Sequence, residues 1–559
     1  MNVSQQGIIN MCGAYKYLGQ SLGQSLGRSL GRSLGGVFAA FLLIAFVGSP
    51  VAEAQSIAFK QAVATAAARD KAISAFYRER AYAPFWTGFN DGARRRAFIE
   101  AVSRARQHAL PEGRYEASRI RQQFRHISSA RERGLLEVEM TRTFLQYAQD
   151  IQSGILNPRR LGDEFYVKPP RRDRLATLKA FAKSSPRAFL RSLPPQSLAY
   201  QRLLKEKVRL EKVVGRGGWG PKVTARKLRP GMSGKAVVAL RARLSAMGYQ
   251  RLGISPDYDD SLQEAVQLFQ IDHGLNADGV AGRGTLKALN VSAGKRLQQV
   301  IVGLERQRWL NKPLGARYIM VNLADYRAYV MDNGKPTLET RVVVGRTGKD
   351  YRTPEFEKMM THLIVNPAWH VPQSIAGREY LPQLQKNPNA LQRLGLEMSD
   401  DAGNPVDPTS IDYTQYDEKN FPFSLQQPPS AGNALGRVKF MFPNRFNIYL
   451  HDTPSKSLFG RDQRTYSHGC VRVQKPFELA YTLLAKQSAD PKGLFQRALA
   501  SGEETQINLK TPVPVYLTYQ TVWVTPQGRA NFRMDPYGRD RKVFAALKKA
   551  GVALGSIQG

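Results

Sequence analysis

The chain has 559 residues, of which 42% are hydrophobic and 9% aromatic. Single hydrophobic cores rarely grow beyond about 250–300 residues, so this length predicts several domains, and the composition excludes an intrinsically disordered chain. The formal net charge of +37 predicts a polyanionic partner: nucleic acid, an anionic membrane surface or the acidic polymers of a bacterial cell wall.

The first 54 residues have the composition of an export signal. Basic residues precede an apolar run at 37–47, and Ala52 and Ala54 are small residues of the kind that signal peptidase reads before Gln55. The eleven residues of this run are too few for a comfortable membrane span, which takes about 20. We therefore expect a cleaved signal peptide and a periplasmic protein, with inner-membrane anchoring as the alternative if the signal is not cleaved.

Cleavage before Gln55 would also remove Cys12 and leave Cys470 as the one cysteine of the mature chain. A single thiol excludes an internal disulfide. A buried structural role is the commoner fate of such a cysteine, so its neighbours must decide whether it is reactive.

The spacing of apolar residues and the positions of prolines predict the organisation of the N-terminal half. Apolar residues at helical spacing predict a helical scaffold domain over 55–165. Basic, proline-punctuated sequence then predicts a linker over 166–220, with one helix at 198–214.

Residues 221–292 contain three amphipathic stretches separated by glycine-rich turns. The first stops at Gly248, the second carries Phe269-Gln270, and a turn at 278–282 leads to the third. This spacing resembles the three-helix peptidoglycan-binding domain of many cell-wall enzymes. The resemblance implies either a glycan-binding module or a module kept for packing, and both alternatives stay open.

The pattern changes to strands after residue 317. Asn333-Gly334 predicts a two-residue hairpin, and Pro476 predicts the start of a helix behind the cysteine. The irregular segment 373–435 predicts a lid or binding loop inserted into a β-domain. Apolar runs predict strands at 318–321, 326–331, 341–344, 361–365, 438–442, 447–450 and 513–524, and a basic helix follows from Lys542.

The surroundings of Cys470 contain the groups that cysteine acyl transfer needs: a base, a thiolate and donors for an oxyanion. His451 ends a predicted strand and can serve as the base, and Tyr449 alternates onto the same face. We expect an imidazolium partner, the N-terminus of the following helix and Arg472 to favour the thiolate. Gly469 allows a substrate carbonyl to approach the backbone N–H groups closely.

Two neighbouring side chains have open roles. His468 is interpreted as a loop or substrate-contacting residue, with a second acid or base as the alternative. Asp452 either orients the His451 ring or is a turn residue before Thr453-Pro454. The remaining histidines lack metal-ligand spacing, so neither a metal site nor a cofactor is predicted; they are His108, His126, His273, His362 and His370.

His451 and the run Ser467-His468-Gly469-Cys470-Val471-Arg472 together resemble the signature of the L,D-transpeptidase catalytic domain. Flanking features make the chain similar to the large periplasmic subgroup with a lid; they lie at 304–309, 366–369, 373–435 and 518–519. The resemblance implies a multidomain α+β protein. Its mostly-β, β-sandwich-like catalytic domain would occupy 293–510, and a C-terminal strand and basic tail 511–559.

The resemblance also implies a two-step acyl transfer. Cys470 would attack the carbonyl of the third stem residue and release the terminal D-alanine of a donor tetrapeptide, and an amine of a neighbouring stem would resolve the thioester into a 3→3 cross-link. His451 would be the base, the Gly469 and Cys470 amides the oxyanion hole, and Tyr449 an extra donor. Carbapenem acylation of Cys470 is expected. The implied substrate-contacting residues are Arg472, His468, Ser467 and Trp369.

The expected partners are peptidoglycan stem peptides and glycan, with peptidoglycan synthases as further candidates. The basic surface would bind the carboxylates of the wall. Water as acceptor (an L,D-carboxypeptidase) and the lysine of an outer-membrane protein stay open as alternatives. Intact His451 and Cys470 disfavour a non-catalytic wall-binding scaffold. The export signal and the absence of a nucleic-acid reading motif disfavour nucleic-acid binding.

Overall fold

The computed structural model describes residues 50–554. The apolar run at 37–47 and Cys12 lie outside the described residues. The unit that begins at Ile57 is compact, and the described part of the unit before it, 50–56, is helical. Among the described residues no helix combines the length and apolarity needed to cross a membrane.

Helices dominate residues 50–309 and return behind the sheet. In chain order they are α1 Pro50–Ala67, α2 Lys71–Glu79, α3 Gly92–Ser103, α4 Ala117–Arg125, α5 Ala130–Ser153, α6 Arg174–Lys183, α7 Pro186–Ser192, α8 Leu198–Gly215, α9 Lys235–Met247, α10 Asp260–Asp272, α11 Arg283–Leu289, α12 Ala293–Trp309, α13 Gln373–Ile375, α14 Leu381–Leu384, α15 Ala390–Arg393, α16 Pro476–Leu484, α17 Pro491–Ala500 and α18 Arg539–Lys549.

The strands fall into three sheets. In chain order they are β1 Arg317–Asn322, β2 Arg327–Asp332, β3 Lys335–Gly345, β4 Phe356–Val365, β5 Trp369–His370, β6 Glu397–Ser399, β7 Ser424–Gln427, β8 Val438–Met441, β9 Leu450–His451, β10 Thr465–Ser467, β11 Val471–Val473, β12 Thr505–Thr518, β13 Val522–Val524 and β14 Ala530–Phe532.

The N-terminal helices pack around an aromatic core. The rings of Phe144 and Phe181 stack with centroids 4.5 Å apart, and Trp86 packs against both. Phe181 belongs to α6, which lies inside the predicted linker at 166–220. That segment is therefore not a linker, because α6 and α7 bury Phe181 and Leu190 in the scaffold core.

Helices α9, α10 and α11 form the predicted three-helix domain around their own core. Arg533 ties this domain to the β-domain, since it pairs with Asp325 at 2.5 Å and donates to the Asp272 carbonyl at 2.9 Å. The helical domain therefore docks on the strand domain through a buried guanidinium.

The largest sheet has nine strands in the order β10-β3-β11-β9-β8-β4-β12-β1-β2. Because β2 also pairs with β3, the sheet closes on itself around one apolar core. The Asn333-Gly334 hairpin lies between β2 and β3, and both of its residues have positive φ, as such a turn requires. The mostly-β prediction is confirmed.

Three segments differ from the sequence predictions. The predicted strand at 513–524 breaks after Thr518, where Tyr519 turns to donate a hydrogen bond to Asp535 at 2.6 Å. The basic helix begins at Arg539 rather than Lys542. The predicted lid segment is not wholly irregular, because it carries β6, β7 and short helices around a separate apolar core that includes Leu384 and Leu425.

Candidate active site

Four polar side chains lie on one face of two neighbouring strands. Strands β9 and β11 are parallel, and His451 lies opposite Arg472. Leu450 and Val471 are fully buried on the core side, so the alternation of strand side chains places Tyr449, His451, Cys470 and Arg472 on the other side. The rings of Tyr449 and His451 lie 5.7 Å apart. The structure therefore brings these four predicted residues together.

The Cys470 thiol is free and partly buried. Its Sγ donates to the Asn447 carbonyl at 3.5 Å. Burial raises the pKa of the Cys470 thiol to about 11, although hydrogen bonds from the backbone and hydroxyl of Tyr449 and the charge of Arg472 act to lower it. The resting sulfur is therefore a neutral thiol.

His451 is 4% exposed. Burial, and then the charge of Arg472, lowers the pKa of His451 to about 3, although backbone hydrogen bonds with Asp452 and Leu435 act to raise it. The ring's Nδ1 is buried and has no hydrogen-bond partner. Burial therefore favours the neutral imidazole, the form that can accept a proton. The expected imidazolium partner is wrong for the resting site, because burial disfavours both charges.

The expected assistance from a helix N-terminus is also wrong. Strand β11 follows Cys470 directly, and α16 begins only at Pro476. A helix macrodipole acts within about one turn of its end, so α16 does not act on the thiol. Arg472 is the charge that favours the thiolate.

Hydrogen bonds fix the loop at 467–470 from both sides. Ser467 is buried; its Oγ donates to the Cys470 carbonyl at 2.5 Å and accepts from the Gly469 N–H at 3.2 Å. Thr353 Oγ1 donates to the Gly469 carbonyl at 2.7 Å and accepts from the Gly345 N–H at 3.0 Å. Gly469 has φ 125°, a conformation that favours glycine.

A buried ionic network supports Thr353. Arg539 donates to the Thr353 carbonyl at 2.7 Å and pairs with Glu164 at 2.9 Å and Glu355 at 3.5 Å. Arg306 pairs with Glu355 at 2.5 Å. Arg306 belongs to the sequence feature at 304–309, so that feature is connected to the active-site loop through this network.

The segment predicted as a lid reaches the same loop. His468 Nε2 lies 2.5 Å from Oε1 of Glu379, and Arg346 Nη1 lies 3.0 Å from the same oxygen. Glu379 stands in a one-turn π-helix at Ala376–Tyr380. Trp369, on β5 just before the lid segment, packs against that segment's apolar core, with its ring 6.3 Å from that of Tyr380. Of the predicted substrate-contacting residues, His468 and Arg472 lie at the site, Ser467 lies inside the loop, and Trp369 lies on β5 just before the lid segment.

The Asp452 carboxylate accepts from the backbone N–H groups of Arg437 and Thr453, at 2.9 Å and 2.7 Å, and pairs with Lys456. The Asp452 carboxylate therefore fastens the turn after β9. Within residues 50–554 no group of three or more His, Cys, Asp or Glu side chains is placed to hold a metal ion.

Sequence reasoning missed Thr353, Arg346 and Glu379. Each reaches the 467–470 loop from a distant part of the chain; Thr353, for example, is 116 residues before Gly469. No local motif marks these three residues.

Three family models match the chain. Residues 316–515 match the L,D-transpeptidase catalytic domain, 71–206 match a model described as "Scaffold domain", and 233–289 match one described as "Putative peptidoglycan binding domain". Cys470, His451 and the whole nine-stranded sheet except the end of β12 lie within the first match.

A protein of Haemophilus influenzae named "Putative L,D-transpeptidase" is 36% identical over 228 residues, which are 41% of this chain and 45% of that protein. The chain thus spans about half the length of the curated relative that it matches. Crystal structures of L,D-transpeptidases from Xylanimonas cellulosilytica and Stackebrandtia nassauensis are 17% and 15% identical to it. Each covers 53% of this chain, and 100% and 96% of its own length, with TM-scores of 0.17 and 0.21.

Proposed function

The chain carries an L,D-transpeptidase catalytic domain beside a peptidoglycan-binding domain, and from this we propose that it is a peptidoglycan L,D-transpeptidase that forms 3→3 cross-links through a Cys470 thioester. The observation that supports the proposal most directly is the position of Cys470 and His451 on one sheet face within the matched segment. The basic chain suits the acidic wall polymer that this reaction requires.

In the first step Sγ of Cys470 attacks the carbonyl carbon of the third stem residue. Neutral His451 accepts the thiol proton as the C–S bond forms, so the thiolate is generated only during attack. The imidazolium then gives this proton to the nitrogen of the departing D-alanine. The C–N bond breaks, and a thioester remains on Cys470.

The negative oxygen of the tetrahedral intermediate needs donors near Cys470. We assign this role to the Cys470 N–H and the Tyr449 hydroxyl. The Gly469 N–H joins them only if it leaves Ser467 Oγ, to which it donates at 3.2 Å in the resting loop. The positive charge of Arg472 stabilises the negative charge that develops on the sulfur.

In the second step an amine from another stem attacks the thioester carbonyl. Neutral His451 takes a proton from that amine, the C–S bond breaks, and the imidazolium gives the proton to the leaving sulfur, which restores the thiol. An amide between two third stem residues results. Water as the acceptor would give a tripeptide, and a protein lysine would give a tethered protein.

We further propose that the protein works in the periplasm, reached through the leader at 1–54 and retained by its charge and its three-helix domain. Mass measurement of the exported protein tests the leader. A mature N-terminus at Gln55 is expected, and a retained leader would contradict cleavage.

Incubation with a disaccharide-tetrapeptide, with products resolved by mass, tests the reaction. We expect 3→3 dimers and free D-alanine from the native protein and neither product from Cys470→Ala or His451→Gln. His126→Gln is the matched control, since His126 is exposed in the N-terminal helical domain and should leave turnover unchanged.

Tripeptide monomers without dimers would replace transpeptidation by carboxypeptidase activity. Full activity of Cys470→Ala would refute the thioester mechanism.

A further inference from the structure

Two groups that can carry positive charge contact one lid carboxylate at the active-site loop. The backbone N–H of Arg346 donates to the Ser467 carbonyl at 2.8 Å, which holds Arg346 against the loop. Its guanidinium and His468 Nε2 both contact Oε1 of Glu379. Burial acts to raise the pKa of Glu379, but the hydrogen bond from His468 and the charge of Arg346 outweigh it and lower that pKa. Glu379 is therefore an ionised carboxylate bound at a cationic site.

Arg472 is a further cationic side chain beside Arg346 and Cys470. Burial, and then the charge of Arg346, lowers the pKa of Arg472, so the two guanidinium groups lie close enough to repel each other. Within residues 50–554 Arg472 forms no ion pair, and its buried Nε has no hydrogen-bond partner. A partly buried cation without a counter-ion is costly. The site can therefore take a further carboxylate next to Cys470.

The donor stem offers a carboxylate at the matching place. In a tetrapeptide that ends in D-alanine, the free carboxylate lies three bonds from the carbonyl carbon that is attacked, or about 3–4 Å by ordinary bond lengths. Arg472 lies two residues from Cys470 on the same face of the sheet. A carbonyl in contact with Sγ would thus bring its neighbouring carboxylate into the region of Arg472 and Arg346.

We propose that Arg346 and Arg472 form a subsite for the terminal carboxylate of the donor stem, and that the lid residue Glu379 occupies part of this subsite in the resting enzyme. The inference rests on the proposed function and adds the group by which the donor is recognised. Productive binding exchanges one carboxylate for another: the lid releases Arg346 as the D-alanine carboxylate arrives. Glu379 is then a positioning residue that competes with substrate, not a catalytic one.

The test compares two disaccharide-tetrapeptide donors that differ only at the C-terminus, one with the free carboxylate and one with a carboxamide. Release of D-alanine or D-alaninamide is followed by mass to give kcat and KM for each donor. We expect the native enzyme to favour the carboxylate donor at least about tenfold in kcat/KM, because a site built to bind a polar group rejects the analogue that lacks it. Arg346→Gln should abolish most of that preference.

The variant Glu379→Gln distinguishes competition with the donor carboxylate from a purely structural role of Glu379. We expect it to lower KM for the carboxylate donor severalfold, with kcat little changed, and to leave KM for the carboxamide donor unaltered. Glu418→Gln is the matched control: Glu418 is also a lid carboxylate, but it pairs with Arg378 at 3.2 Å and does not contact Arg346. It should change neither donor's KM.

Equal kcat/KM for the two donors would overturn the subsite while leaving the proposed function in place. Equal changes for both donors in Glu379→Gln would also overturn it, since they would indicate only a loosened lid. Failure of the native enzyme to process either donor, with Cys470 still open to alkylation, would refute the proposed function and the subsite with it.

Discussion

Alkylation of Cys470 by iodoacetamide should become about ten times faster for each pH unit between 7 and 10. The reagent consumes thiolate, and burial holds the pKa of this thiol at about 11. At pH 7, four units lower, about one molecule in 10⁴ therefore carries the thiolate. Intact-mass measurement of the native protein over this pH range gives the rate directly, because Cys470 is the one cysteine within the described residues.

Two variants test the effects of Arg472 and His451 on this pH dependence. Arg472→Gln should slow alkylation at every pH in the range, because the charge of Arg472 acts to lower the thiol pKa. His451→Gln should leave the shape of the profile nearly unchanged while abolishing turnover, since a neutral imidazole does not hold a thiolate at rest. A rate that is already flat between pH 6 and 9, and that His451→Gln lowers, would show a preformed thiolate–imidazolium pair and refute the reasoning.

Four further outcomes are expected. Thr353→Val removes the hydroxyl that donates to the Gly469 carbonyl; it should cost about 1–2 kcal/mol in urea unfolding and at least tenfold in kcat, and an unchanged kcat would contradict its role in the loop. Arg533→Ala leaves buried Asp325 without its nearest cation and should cost about 3–5 kcal/mol, which urea unfolding measures. The pKa of His451 is about 3 when folded and about 6.5 when unfolded, so the stability it contributes is complete above pH 6.5 and is lost as pH falls toward 3. The unfolding free energy should therefore fall by about 1.4 kcal/mol per pH unit below 6.5 from this residue, a slope that His451→Gln should lack. Binding to isolated wall sacculi should weaken as salt rises, given the net charge of +37, and insensitivity to salt would contradict electrostatic retention.

The local part of the site could be predicted from the sequence. Strand alternation is a local rule, so Tyr449 and His451 could be assigned to one face before the structure was known. The electrostatics could not be predicted in the same way, because they depend on burial. Burial favours the neutral forms of a histidine 4% exposed and of the partly buried Cys470 thiol, which residue types alone do not reveal.

The supporting contacts could not be predicted because they join distant segments. Thr353 meets Gly469 across 116 residues, and Glu379 meets His468 across 89. The error at 166–220 has a similar cause: prolines there suggested a linker, while Phe181 and Leu190 fill a core whose other side lies much earlier in the chain. Prolines and glycines indicate where helices end, but they do not indicate whether the helices between them pack into a core.

The neutral thiol and the Glu379 carboxylate both lower the reactivity of the resting site toward molecules other than a donor stem. Oxidation and alkylation act on thiolate, so a pKa of about 11 protects a lone cysteine in the oxidising compartment that we propose. Glu379 reduces the free positive charge beside Cys470, and with it the attraction for unrelated anions. A donor stem can change both conditions at once: its carboxylate replaces Glu379, and its carbonyl gives the sulfur an electrophile as His451 takes the proton. Reactivity would then depend on the bound donor rather than on a standing thiolate, which is the difference that the alkylation profile and the two-donor comparison measure.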